Sequence, residues 1–221
     1  MRKIIVSLMF ATATVLGSTA ALADAPLTSG GTATFTGGTG GLGAGETLYA
    51  SFSPGSTGGV PPSMIYTGSP SGIAADPAVG GQGDPYLAVL AGQTATFAFA
   101  GGLSQLGLDY GSADTYNFFQ LFFSNGTNQI LTGQNIIDFG TADGDQAAPR
   151  TNGRLTFLAG AGPSITGLTL TSSANSLEVD NFGVISAVPE PSTWAMMLLG
   201  FGAMGVSVRR RRRTNNLLQA A

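Results

Sequence analysis

Thr94-Ala95-Thr96-Phe97-Ala98-Phe99 alternates polar or small residues with apolar ones at every step. Successive strand side chains point to opposite faces, so a period of two gives one face to a core and the other to solvent. Outward from this stretch, short runs rich in Thr, Phe, Tyr, Val, Ile and Leu recur between Gly, Asn, Asp and Pro. Those runs predict strands near residues 32–36, 47–52, 86–90, 94–100, 104–110, 116–123, 129–132, 136–139, 153–158, 164–171 and 177–185. Asn125-Gly126 between two apolar runs is the strongest local hairpin signal. No part of this region shows sustained helical spacing. The expectation is an all-β domain, an antiparallel β-sandwich of jelly-roll type. A barrel or β-helix is the alternative, although the spacings lack the fixed repeat of a solenoid.

Two stretches break the rhythm. Residues 37–45 are glycine-rich, and residues 53–85 form a long irregular segment rich in proline and glycine. A compact domain seldom carries such a loop unless it binds something or is partly disordered, and both readings stand at this level.

The two ends of the chain differ from the middle. Arg2 and Lys3 precede an apolar stretch and small residues ending Ala21-Leu22-Ala23. This is the pattern of a secretory signal peptide over residues 1–23, cut between Ala23 and Asp24 after an A-x-A site with Ala21. The Sec translocon and signal peptidase are its expected partners. At the other end, Pro189-Glu190-Pro191 and Trp194-Ala195 lead into an uncharged run, residues 194–208, and then Arg209-Arg210-Arg211-Arg212-Arg213. The prolines prevent a helix from running in from upstream. As a helix, 194–208 spans roughly 22 Å at about 1.5 Å per residue, against a hydrocarbon core of about 30 Å. It is expected to be a short transmembrane helix suited to transient anchoring. The arginines act as a stop-transfer block and keep residues 214–221 as a cytoplasmic tail.

Order, spacing and position of these residues resemble the PEP-CTERM sorting signal, in its PEPxxWA variant from Gram-negative bacteria. The same segment also goes by the name of an ice-binding protein C-terminal region, which implies nothing about the body. The resemblance implies transient retention at the inner membrane, recognition by an exosortase near Pro189-Glu190-Pro191, and removal of the helix. Release to the cell surface or the extracellular space follows. The chain departs from the pattern in the eight residues that trail Arg213.

Removing the ends changes the charge. The whole chain has a formal charge of −3, but residues 24–188 hold two arginines against eleven acidic residues, a net charge of −9. Such a surface repels phosphates, so nucleic acid is not an expected partner. There is no cysteine and no histidine, which removes Ser-His-Asp and Cys-His machinery and most zinc chemistry. Paired carboxylates for glycoside hydrolysis remain the one catalytic option, and no motif supports them. No catalytic residue or cofactor is therefore assigned.

Three stretches are candidates for binding. Asp109-Tyr110-Gly111-Ser112-Ala113-Asp114-Thr115-Tyr116-Asn117 joins two strong strands and resembles a segment of other PEP-CTERM bodies, with Tyr110 where Trp is usual. Asp114, Tyr116 and Asn117 are candidate glycan contacts by hydrogen bonding and stacking; a tight hairpin whose Asp and Asn bond their own backbone is the alternative. Leu177-Glu178-Val179-Asp180-Asn181 resembles the closing strand of jelly-roll carbohydrate-binding modules, in which an acidic residue ligates structural calcium. That makes Asp180 a candidate ligand, against a plain solvated strand face. Asp138, Asp143 and Asp145 share a loop; Asp143 and Asp145 are candidate calcium ligands there, without the EF-hand spacing. Threonines 32/34/36, 94/96 and 169/171 show no repeat that would array them as an ice-binding face.

The combined expectation is an exported surface or extracellular-matrix protein, structural or associated with exopolysaccharide. A carbohydrate-binding module is the alternative, and a secreted glycoside hydrolase the least supported.

Overall fold

The computed structural model describes residues 25–137, 140–187 and 191–218. The signal-peptide residues Ala21, Ala23 and Asp24 therefore lie outside the described residues, as do Asp138, Pro189 and Glu190. Eleven strands form among the described residues: β1 (Ala25–Pro26), β2 (Thr32–Gly37), β3 (Thr47–Ala50), β4 (Ile65–Tyr66), β5 (Tyr86–Val89), β6 (Thr94–Gly111), β7 (Asn117–Phe123), β8 (Asn128–Thr132), β9 (Gly153–Leu158), β10 (Ile165–Ser172) and β11 (Leu177–Ser186). A single-turn helix α1 (Gly133–Ile136) follows β8, and a long helix α2 (Pro191–Leu218) ends the chain.

The stretch at 94–99 becomes the first third of β6, with Ala95, Phe97 and Phe99 buried and Thr94, Thr96 and Ala98 exposed. Two expected strands, 94–100 and 104–110, are one. Gly101 and Gly102 take φ of +82° and +74°, a conformation open to glycine at no steric cost, so the chain bends there without leaving the sheet. Before the bend β6 pairs with β10, Thr96 opposite Thr169. Beyond it β6 lies between β9, Asp109 opposite Arg154, and β11, Asp109 opposite Asp180.

All the strands join one antiparallel sheet, with the path β1-β2-β9-β6-β10-β7-β8 and β11 bridging to β3 and to β5 with β4. The antiparallel β expectation holds. In place of the two separate sheets of a jelly roll, the hydrogen-bond ladder is continuous and curls, because β6 is shared and bent. Aromatic contacts show the closure. Phe119 on β7 meets Tyr110 on β6 at 4.9 Å and Phe157 on β9 at 6.2 Å, and Phe97 meets Phe182 on β11 at 4.8 Å. These residues, with Phe35, Leu121, Leu155 and Val179, make one core.

Two local expectations need correction. Of the strand expected near 136–139, Ile136 closes α1 and Ile137 caps it, because Thr132 and Asn135 form reciprocal caps that start a helical turn, while residues 138–139 lie outside the described residues. The irregular segment 53–85 is held against the sheet: Asn181 Nδ2 donates to the Gly80 carbonyl and the Ala75 N–H to Glu178.

The tail helix is longer than the expected 194–208 and runs through the arginines. Among the described residues no helix is long and apolar enough to cross a membrane, which corrects the expected transmembrane helix. The charged block lies within α2 itself, and the apolar run before it is too short. Met196, Leu198, Leu199, Phe201, Met204 and Val206 are exposed along it.

Candidate functional site

Strand alternation sends Tyr110, Leu155 and Val179 into the core and Asp109, Arg154, Glu178 and Asp180 to the opposite face. That outer face is not solvated. The loop after β2 and the segment before β5 cover it, touching where Gly40 passes Gly80. The two irregular stretches of the sequence are thus the lid of a buried polar layer.

Arg154 organises the layer. Its Nη1 donates to Asp109 Oδ1 at 3.0 Å and to the Asn181 carbonyl at 2.7 Å, and its Nη2 pairs with Glu46. Asp109 also accepts the Gly41 N–H on both oxygens, at 3.0 and 2.8 Å, and Asn181 Nδ2 at 2.9 Å. Gln105 reaches Glu46 at 2.8 Å. Gly107 and Gly183 form the floor under the Arg154–Glu46 pair, where any Cβ would strike the pair. The buried layer escapes sequence reading because it depends on β9, β6 and β11 being neighbours. One signal existed: Arg154 is one of only two basic residues in an acidic body.

Beside this layer opens a polar groove of about 340 Å³, within the range of small-molecule sites. Its walls are the 69–74 turn with Gly144 and Gln146, and Asp114, Tyr116, Ser112 and Glu178 line it. The Tyr116 hydroxyl donates to the Asn175 carbonyl at 3.0 Å. Burial pushes the Asp114 carboxyl above the usual carboxylate range, and the charge of Asp143 adds to the shift. Burial raises Glu178 as well. The Glu178 oxygens accept the Ala75 N–H at 3.0 Å, the Ser112 hydroxyl at 2.7 Å and the Ser176 hydroxyl. They tie the 69–76 turn to the sheet.

The predicted glycan contacts separate. Asp114 and Tyr116 line the groove. Asn117 is fully buried behind it, donating to the Tyr110 hydroxyl at 3.0 Å and accepting from Ser172 at 3.0 Å, so it holds the hairpin from inside. Asp143 and Asp145 are both engaged by Arg150, at 2.6 and 3.1 Å, and Asp145 also caps the Ala147 and Ala148 N–H groups. Arg150 holds Asp143 below the usual carboxylate range, and the Ala147 and Ala148 N–H groups do the same for Asp145. A cation there would have to displace a guanidinium. Among the described residues no three acidic side chains stand as a ready-made metal cluster. Thr94 and Thr96 do lie beside Thr171 and Thr169 in register, and the Thr96 and Thr169 hydroxyls are 3.2 Å apart. Strand pairing thus makes a two-by-two patch that the separate sequence positions concealed.

The family model described as the PEP-CTERM protein-sorting motif matches residues 187–213. The tail is therefore a PEP-CTERM sorting signal and indicates an exosortase-dependent exported protein. Pro191 opens α2, and Trp194, Ala195 and Arg209 lie along it. No curated protein and no solved structure matches the chain.

Proposed function

We propose that this is a surface or extracellular-matrix protein whose β-body associates with exopolysaccharide. The observation that carries the reading is the sorting signal at residues 187–213, which commits the attached body to the cell exterior. The body itself supports an association role: the rigid sheet offers a polar groove, and the Glu178 oxygens that line it are taken up by structural donors. Export begins with the signal peptide and its cleavage before Asp24. The apolar run of α2, with Arg209–Arg213 behind it, then holds the chain transiently at the inner membrane. The exosortase acts near Pro189-Glu190-Pro191 and separates the body from the helix.

A carbohydrate-binding role is the second reading, favoured by Tyr116 and Asp114 lining an open groove. An aromatic face and carboxylate acceptors suit the hydroxyls and C–H faces of a neutral sugar. The body's charge of −9 disfavours a polyanionic glycan. Equilibrium binding of the exported protein to neutral and acidic exopolysaccharide is the test. Saturable binding to the neutral polymer, lost in Tyr116→Ala and Asp114→Asn, supports the groove. Equal binding by the variants moves the contact elsewhere, and no binding to either polymer refutes the association.

A further inference from the structure

The buried polar layer contains one carboxylate that is only half satisfied: Asp180 takes the Asn181 N–H and nothing on its other oxygen. Asp180 is 5 % exposed, and its Oδ1 has no hydrogen-bond partner. It faces Asp109 directly across the β6–β11 ladder, and like charges in that position repel. Asp109 is matched by Arg154, Gly41 and Asn181, whereas none of the salt bridges among the described residues involves Asp180. The covering segment is fixed on both sides of it, by Ala75 on Glu178 at 3.0 Å and by Gly80 on Asn181 at 2.8 Å. Between these points Pro77 packs over Gly111 and the Ala78 N–H reaches Asn152 Oδ1 at 3.5 Å, and the segment then returns into β5 with Leu87 opposite Val179, which brings residues 84–86 alongside Asp180.

This cover is itself acidic. It runs Asp76-Pro77-Ala78-Val79-Gly80-Gly81-Gln82-Gly83-Asp84, with a carboxylate at each end of a glycine-rich turn. Asp76 Oδ2 accepts the Gly83 N–H at 2.6 Å, which closes the turn on itself. We propose that Asp180 anchors a divalent-cation site, calcium by its all-oxygen donors, completed by Asp76, Asp84 and backbone carbonyls of the 76–84 turn. Calcium takes six to eight oxygens in flexible geometry and uses carbonyls and water freely. The turn can therefore close onto the ion without three carboxylates being gathered beforehand. Desolvation, with the charges of Asp109, Asp84 and Asp76, pushes Asp180 up to about 7. The neighbouring carboxylates that add to this shift are also what draws a cation. Asp143 and Asp145, already paired with Arg150, do not take part.

Calorimetric titration and thermal unfolding of the full-length chain at pH 7.5, in calcium and in EDTA, test this. Expected is a dissociation constant of about 0.1–1 mM, as in extracellular calcium modules, and a rise in Tm of about 3–6 °C near saturation. Asp180→Asn should abolish the rise while remaining at least as stable as the parent in EDTA, because it removes an unpaired buried charge. Asp84→Asn, on the exposed turn, should weaken binding severalfold without changing stability in EDTA. Asp143→Asn should respond like the parent. No response of the parent up to about 10 mM calcium overturns the proposal. So does a full response in Asp180→Asn, or an Asp180→Asn protein less stable than the parent in EDTA.

Discussion

Arg154→Met is the sharpest test of how the outer face is built. Methionine keeps much of the arginine stem and deletes the guanidinium. The side chain of Arg154 is only 8 % exposed, and those of Glu46 and Asp109 are wholly buried, so two carboxylates lose their cation without gaining water. Removing one partner of a buried ion pair costs about 3–5 kcal/mol, mostly for the charge left uncompensated. The Asn181 carbonyl also loses its 2.7 Å donor. Against a total stability of about 5–15 kcal/mol, this is a large fraction. Glu46→Gln is the comparison, since it leaves the Arg154–Asp109 pair intact and should cost about 1–2 kcal/mol. Urea unfolding measures both, with the slope unchanged between variants so that midpoints can be compared. At about 2–4 °C per kcal/mol for a domain of this size, Arg154→Met should melt about 6–20 °C lower. If Arg154→Met stays within about 1 kcal/mol of the parent, or costs less than Glu46→Gln, the buried layer is not held by charge pairing.

Other expectations concern the core, the floor of the buried layer and the groove. Phe119→Ala empties a site between Tyr110 and Phe157 and should cost about 3–5 kcal/mol by urea denaturation. Gly107→Ala drives a methyl into the Arg154–Glu46 pair and should cost about 1–3 kcal/mol by the same measurement. The raised Asp114 gives a pH dependence of definite sign. Its contribution is fully present below the unfolded value of 3.8 and is lost as pH rises through the folded value. Asp114→Asn should thus be more stable than the parent at pH 7, with the gap closing below pH 3.8, measured as urea midpoints across pH.

The strands were legible where local pattern decides them. Residues 153–158 match β9 in full, and Asn125-Gly126 does make the β7–β8 turn, because both depend on alternation and turn chemistry within a few residues. Residues 104–110 read as a separate strand since Gly101-Gly102 signals a break, and only the ladder with β9 and β11 shows that the chain continues. Ile136 and Ile137 are apolar enough to open a strand, but the Thr132–Asn135 cap precedes them and starts a helical turn instead. Single curled sheet versus two sheets cannot be read from strand spacing, which is similar in either arrangement. The groove was half legible. Asp114 and Tyr116 sit in a loop whose composition marks it, but Asn117, one residue further, starts β7 with its side chain inward. Glu178 and Asp180 looked like a solvated strand face because alternation alone cannot tell that a distant loop will cover it. The sorting motif was legible because its order of prolines, apolar run and arginines is a linear signal, whereas the expected transmembrane helix was not found among the described residues, α2 carrying the arginines within it.

Reading residues 187–213 as a sorting signal requires that the exported protein lose the helix that follows Pro191. Intact-mass measurement of the protein recovered outside the cell tests it most directly. The expected product has its N-terminus at Asp24 and its C-terminus near Pro191, lacks Arg209–Arg213, and is lost when the host's exosortase is deleted. An extracellular form that still carries Arg213, or processing unchanged without the exosortase, would contradict it.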